Sequence, residues 1–338
     1  MRIPQHTPAF ETRRGQVYEG DALEILRAMP DRSVNLVITS PPYALEFKKE
    51  YGNESQAEYV SWFLPFAHEV RRVLTDDGSF VVNIGGAWRK GHPVRSLYHF
   101  RLLIALVDEV GLHLAQEVYW YNPAKMPTPA EWVNVQRIRV KDSVEPCWWM
   151  SKTERPKASN RNVLVPYSDD MIRLIERGFT PMKRPSGHMA KATFQKDHGG
   201  AIPGNVLTLG NNDSNGRYLA RVAEAGLKIH PARFPVQLPE WFIRFLTDPG
   251  DIVLDIFGGS MTTGWAAERM GREWVGIEIV PQYVAASRLR FFDDEGTLLP
   301  DEYRTQPPLV PVIDISPDDG GADADVLELT RSEIRPAS

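Results

Sequence analysis

Ser40-Pro41-Pro42-Tyr43 directly follows the apolar run Val34-Asn35-Leu36-Val37-Ile38-Thr39. Two successive prolines hold φ near about −65° and carry no N–H, so their carbonyls escape helix or sheet bonding and can face a ligand. Ser40 adds a hydroxyl and Tyr43 an aromatic face. Together these groups suit a planar ring bearing an amine, because a hydroxyl and a carbonyl can both accept amine hydrogens. Alone, the tetrapeptide is more often a turn than a chemical site. Its position after a buried strand favours chemistry, since ligands of open α/β sheets gather at the carboxyl ends of strands.

A second constellation lies far downstream. Ile252 to Phe257 reads as a buried strand running into Gly258-Gly259-Ser260, with a helix opening at Thr262. Glycines at such a turn let a ligand approach the backbone, and the helix N-terminus offers unpaired N–H groups. Glu278 follows Asp255 by 23 residues, matching the acidic side chain about 20 positions on that holds ribose hydroxyls in dinucleotide folds. The glycines do not form Gly-x-Gly-x-x-Gly, which points to an adenosyl compound without a pyrophosphate. Asp21, after Gly20, reads as the N-cap of a helix from Ala22 or as a ligand-binding carboxylate. Pro146-Cys147 raises a different chemistry, attack on a ring carbon by a thiolate. Cys147 adjoins Trp148-Trp149-Met150, and that apolar run favours a buried structural thiol.

Positioning these residues needs a scaffold, and the first 120 residues show a βαβ rhythm. Strands are expected at Gln16–Tyr18, Val34–Thr39, Ser79–Ile84 and Leu112–Tyr121, and helices at Ala22–Met29, Tyr59–Leu74 and Leu97–Val110. From Asn122 to about Gly216 prolines interrupt every periodic run, so this stretch is expected to be irregular. Regular structure resumes with a helix over Pro239–Thr247, a strand over Asp251–Phe257, a helix over Thr262–Met270 and a strand over Trp274–Ile279. The fold class is therefore α/β with a mostly parallel sheet. Residues 1–121 form one half of the core, 122–215 an inserted recognition region, 216–292 the second half, and 293–338 an acidic, disordered tail.

Composition narrows the function further. The net charge is −5, yet residues 293–338 carry 12 acidic and 3 basic side chains, so residues 1–292 are net +4. Residues 121–200 hold 14 Lys and Arg against 8 Asp and Glu, interleaved with Trp132, Trp148, Trp149, Tyr167 and Phe194. Basic and aromatic residues in one segment are a nucleic-acid signal. A single cysteine excludes an internal disulfide framework and any multi-thiolate metal site, and no metal is expected. No apolar stretch approaches the roughly 20 residues of a membrane span, and the N-terminus lacks an apolar signal region. A cytoplasmic, nucleoid-associated protein is expected.

Ser-Pro-Pro-Tyr upstream and Asp-Ile-Phe-Gly-Gly-Ser-Met-Thr-Thr-Gly downstream resemble the S-adenosylmethionine-dependent DNA amino-methyltransferases. Their order, with recognition segment between, is similar to the beta class. Gly20-Asp21-Ala22-Leu23-Glu24, His230-Pro231-Ala232-Arg233-Phe234-Pro235 and Gly271–Glu278 agree, as do Lys49–Asn53, Arg139–Asp142 and Arg184–His188. The likeness spans about residues 15–290 and points to the branch that methylates the exocyclic amine of cytosine. It implies a Rossmann-like methyltransferase fold with permuted motif order, and Ser40, Pro41, Pro42 and Tyr43 as catalytic residues acting on a flipped-out base.

The same resemblance assigns the cofactor S-adenosylmethionine, with product S-adenosylhomocysteine, to Asp21, Thr39, His230, Pro231, Phe234 and Pro235 on one side. Asp255, Phe257, Gly258, Gly259, Ser260, Thr262, Thr263 and Glu278 complete that set. Double-stranded DNA is the implied partner, with Arg137, Arg139, Lys141, Arg184 and Lys191 as candidate contacts. A six-base palindrome such as CAGCTG is the first site to try, within a restriction-modification system or an epigenetic mark. A restriction endonuclease of the same system need not touch the chain, and monomer and homodimer both stay open. Serine at the first motif position favours cytosine over adenine, and adenine is the alternative. A catalytically inactive nucleic-acid-binding protein is the other. Met261 departs from the glycine usual in the family's cofactor loop.

Overall fold

The computed structural model describes residues 1–44, 54–178, 196–211, 216–293 and 296–299. Among them nine strands make one sheet: β1 (Phe10–Glu11), β2 (Gly15–Glu19), β3 (Val34–Thr39), β4 (Leu74–Asn83), β5 (His113–Tyr121), β6 (Val144–Ser151), β7 (Val206–Thr208), β8 (Ile252–Asp255) and β9 (Glu273–Glu278). Their order across the sheet is β1-β2-β9-β8-β3-β4-β6-β5-β7. From β2 to β4 every neighbouring pair is parallel. β6 runs antiparallel between β4 and β5.

Side chains alternate across the pleat and divide the core into two layers. Val37, Phe80, Val82, Trp148, Leu254 and Val275 pack toward α1 (Ala22–Ala28), α2 (Tyr59–Val73) and α3 (Tyr98–Asp108). Leu36, Ile38, Val81, Cys147, Trp149, Val253 and Trp274 face the other way. The far layer follows α4 (Asp169–Arg177) and α5 (Gly216–Glu224) in the chain: α6 (Gln237–Leu246), α7 (Thr262–Arg269) and α8 (Pro281–Arg288) cover that side. In α2 the buried residues Tyr59, Phe63, Phe66, Ala67 and Val70 recur at spacings of three and four, which is one stripe of a helix. No helix among the described residues is long and apolar enough to cross a membrane.

The elements expected before Tyr121 and after Pro239 are present. β4 starts early, at Leu74, directly after α2. The expectation of an irregular stretch from 122 to 216 is corrected: it contains β6, α4, β7 and the start of α5. β6 is an interior strand despite Pro146, whose position faces Ile84, one residue past the last paired residue of β4. At that rung a proline sacrifices little ladder bonding. α8 was not expected from the pattern, although Pro281 at its first turn is a start signal. Lys49–Asn53, Arg184–His188, Lys191 and the acidic tail from residue 300 lie outside the described residues.

Candidate active site

Because β2, β9, β8, β3 and β4 lie side by side and parallel, their carboxyl ends share one edge of the sheet. That edge collects Gly20-Asp21, Glu278, Ile256–Ser260, Ser40–Tyr43 and Asn83 from distant parts of the chain. The antiparallel β6 brings its first residues, including Glu145, to the same edge. These segments enclose one cavity of about 720 Å³, within the roughly 300–1,000 Å³ usual for small-molecule sites.

At one end of the cavity stands Ser40-Pro41-Pro42-Tyr43. The Pro42 carbonyl accepts from the Tyr59 hydroxyl at 2.9 Å, which anchors the proline pair to α2. The Pro41 carbonyl accepts no hydrogen bond among the described residues, and Pro41 lines the cavity together with Ser40. Tyr43 donates its hydroxyl to Glu145 Oε2 at 2.7 Å and lies 3.3 Å from Asn83 Oδ1. Its ring rests on Gly85, where an added Cβ would meet the ring at 2.5 Å. Burial, with the Glu145 charge second, holds the Tyr43 hydroxyl well above its ordinary pKa, so it stays protonated. Glu145 pairs with Lys125 through its other oxygen.

The other end is built from backbone and buried carboxylates. The glycine loop follows β8, and the Gly258 N–H donates to the Ile277 carbonyl at 2.8 Å. Glu278, at the end of β9, accepts from the Gly259 N–H at 2.7 Å and the Val280 N–H at 2.9 Å. Burial raises the Glu278 pKa. Gly259 has φ +51°, and an added Cβ there would lie 3.2 Å from the His230 ring, so glycine serves both conformation and space. Met261 takes the left-handed conformation, φ 55° and ψ 37°, that glycine would adopt without strain. Its buried thioether fills the space above Gly258 and Gly276, which explains how a methionine occupies this turn.

Asp255 ties the two ends together. Its carboxylate accepts from Thr39 Oγ1 of β3 at 2.8 Å, Thr263 Oγ1 of α7 at 2.7 Å and the Phe257 N–H at 3.1 Å. Burial pushes its pKa up to about 6 against those three bonds. Thr39 and Thr263 are thus committed to Asp255, and neither they nor Pro235 line the cavity; the other residues expected around the cofactor do. Thr262 and Ser260 share a hydroxyl contact of 3.1 Å. Asp21 caps α1, with Oδ1 accepting from the Leu23 and Glu24 N–H groups, and it lines the cavity as well. His230 is held neutral, its pKa lowered to about 4 by burial.

Several contributors carry no motif. Trp62 and Phe66, one helical turn apart on α2, line the cavity and pack on Phe257 at ring distances of 5.8 and 5.3 Å. Their spacing was the available signal. Arg290, buried, bonds the Ser260 carbonyl, and its terminal nitrogen reaches Ser260 Oγ at 3.0 Å and Thr262 Oγ1 at 3.1 Å. It stacks on Tyr218 at 3.9 Å. Burial lowers its pKa to about 10. Glu145, Lys125 and Asn83 likewise had no sequence signal. Asn211 Oδ1 and Arg233 Nε, on residues that line the cavity, are buried without a hydrogen-bond partner among the described residues.

Residues 122–143 form the long loop of the β5–β6 hairpin, closed where the Asn122 N–H meets the Ser143 carbonyl at 2.8 Å. Its first residues line the cavity mouth. Lys141 Nζ donates to the Pro123 and Lys125 carbonyls, and Arg139 to the Pro93 carbonyl at 2.7 Å. Those two side chains brace the loop. Arg137, exposed and with φ 56°, stands out from it. Cys147 is fully buried between sheet and helices, and burial raises its pKa, leaving an inert thiol rather than a nucleophile.

Residues 34–288 match the family model described as DNA methylase. The chain is 57% identical over 290 residues to the Type II methyltransferase M.PvuII of Proteus hauseri, covering 85% of this chain and 86% of that one. A solved structure titled PvuII DNA methyltransferase (cytosine-N4-specific) superposes with a TM-score of 0.71 at 48% identity, over 90% of this chain and 94% of that chain. A protein of Thermus thermophilus, solved in complex with S-adenosyl-L-methionine, shares the fold at 21% identity and a TM-score of 0.50, over 81% and 91% of the two chains.

Proposed function

This chain belongs to the DNA methylase family, and from that premise we propose that it methylates the exocyclic amine of a cytosine flipped out of duplex DNA, using S-adenosylmethionine. The observation that carries the reading is that one cavity joins the Ser40–Tyr43 clamp to the glycine loop and Glu278. The 57% identity to M.PvuII, whose solved counterpart is titled cytosine-N4-specific, supports cytosine.

The residues present fit the cofactor. Two buried polar atoms, Asn211 Oδ1 and Arg233 Nε, lack partners on cavity-lining residues, as expected where a polar ligand completes the bonding. Glu278 would hold the ribose hydroxyls, Phe257 to Ser260 the methionine part, and Asp21 the adenine amine. When bound, the cofactor supplies an electrophilic methyl group carried on a sulfonium.

The chain's own task is to make a poor nucleophile competent. The amine lone pair of cytosine is delocalised into the ring. Ser40 Oγ and the Pro41 carbonyl would accept the two amine hydrogens, favouring a pyramidal nitrogen and directing its lone pair across the cavity. Tyr43 would bear on the ring, which must first leave the duplex because its amine is paired there. The 122–143 loop would read bases from the major groove, with Arg137 as the contact least committed elsewhere. A six-base palindrome, CAGCTG first, is the proposed site.

Product analysis tests the reading. DNA incubated with the protein and S-adenosylmethionine is digested to nucleosides and separated; N4-methylcytosine is expected. Methylated adenine as the sole product, or no methylated nucleoside at all, would refute it.

A further inference from the structure

The hydrogen bonds behind Ser40 run in one direction. A carboxylate only accepts, and Glu145 Oε2 lies 2.7 Å from the Tyr43 hydroxyl, so the tyrosine hydrogen is committed to it. Lys125 pairs the other carboxylate oxygen. The Tyr43 ring cannot turn away, because it rests on Gly85 and its hydroxyl lies 3.3 Å from a further acceptor, Asn83 Oδ1. With its hydrogen spent, the Tyr43 oxygen faces Ser40 Oγ, 3.4 Å away, as an acceptor. The single Ser40 hydrogen therefore points back toward Tyr43, and its lone pairs are left to the cavity.

We propose that Glu145 is a positioning residue that sets this polarity, so that Ser40 meets the target base as an acceptor and the site selects an amine over a keto oxygen. The proposal rests on the reading of Ser40 as the partner of the amine. An amine offers hydrogens to the serine lone pairs. A keto group at the same ring position offers lone pairs, which the fixed chain Ser40→Tyr43→Glu145 opposes. Burial supports the chain by keeping Tyr43 protonated over the whole working pH range.

The test compares two duplexes that differ only at the cytosine shown by product mapping to be methylated, one retaining cytosine and one carrying uracil opposite the same guanine. Equilibrium affinities are measured for the wild-type chain and for Glu145→Gln, Glu145→Asp and Tyr43→Phe. The mispair eases extrusion equally for every protein, so the ratio of preferences isolates the pocket. A glutamine can donate to Tyr43 and reverse the chain. E145Q is expected to lose roughly tenfold of the wild-type preference for cytosine over uracil, the scale of an unmatched buried acceptor. Y43F, which removes Ser40's acceptor, should lose it too, whereas E145D should keep most of it.

Calorimetry with S-adenosylmethionine verifies that each variant is folded. Unchanged preference in both E145Q and Y43F overturns the proposal, and so does equal loss in E145D and E145Q, which would mark a packing role. Wild-type methyl transfer measured in the same series separates the two levels. If wild type forms no methylated base, the proposed function falls; if it does and the preferences do not move, only the role of Glu145 falls.

Discussion

The two ends of the cavity are built by opposite means. Around the glycine loop the main-chain amides make the bonds, to the end of the next strand 19 residues on: the Gly258 N–H donates to the Ile277 carbonyl and the Gly259 N–H to the Glu278 carboxylate. The Ser40–Tyr43 end is held by side chains of other elements, Tyr59 on α2, Asn83 at the end of β4 and Glu145 at the start of β6, with Gly85 beneath the Tyr43 ring. At one end the loop's own amides are the bonded groups; at the other the tetrapeptide is fixed by side chains of other elements. A ligand that many proteins share can be held by backbone. A target that must be discriminated needs side chains that can vary.

If this division holds, damage at the clamp should strike rate and damage at the loop should strike binding or stability. Ser40→Ala tests it most severely. Turnover should fall about 10²–10³-fold, as when one preorganised hydrogen-bonding group is lost, with calorimetry showing unaltered cofactor affinity. A parallel fall in cofactor affinity would erase the distinction between the ends.

Asp255→Asn attacks the tie between them. Replacing one of the oxygens that accept from Thr39 and Thr263 with an amide donor should cost about 1–3 kcal/mol in urea unfolding at acid pH, and methyl transfer should drop with it. The pH dependence gives a sharper check. Burial raises Asp255 from 3.8 to about 6 on folding, so its stabilising share is complete below the lower value and is lost as pH rises through the higher. The stability gap between wild type and variant should be widest near pH 4 and narrow toward pH 7. Glu240, also raised by burial, to about 7, is present in both proteins and cancels in the difference.

Smaller effects are expected where conformation and packing oppose each other. Met261→Gly relieves a left-handed residue, worth about 1–2 kcal/mol, but empties space filled by a buried methionine, worth about 2–5 kcal/mol. A net loss of about 1–3 kcal/mol is expected by thermal denaturation, confined to stability because the side chain points into the core. Cys147→Ala should do least: roughly 1 kcal/mol of packing and turnover within about twofold, because no thiolate chemistry is required. Loss of methyl transfer in that variant would demand a nucleophilic cysteine.

Legibility in the sequence followed the same division. The glycine loop, Glu278 and the Asp21 cap could be read because their partners are neighbours along the chain or stand at a fixed spacing. Thr39, Thr263 and Asp255 were placed in the right neighbourhood, but type and spacing do not reveal that the two hydroxyls close on the carboxylate instead of lining the cavity. Glu145 was invisible: its role depends on β6 entering the sheet between β4 and β5, and Pro146 disguised that strand as a loop. Arg290 was hidden for a similar reason, lying beyond a helix whose short apolar face gave little periodic signal.

The β5–β6 hairpin has a consequence for how such proteins change. If its loop reads bases as proposed, it is the segment to exchange for another DNA sequence, yet Lys125 lies in that loop and its partner Glu145 is the second residue of β6. A graft cut at 122 and 143 would carry away the ammonium that pairs with the carboxylate behind Tyr43. On that reading retargeting and catalysis are not separable modules, and a transplanted loop should work only when position 125 and the start of β6 travel with it.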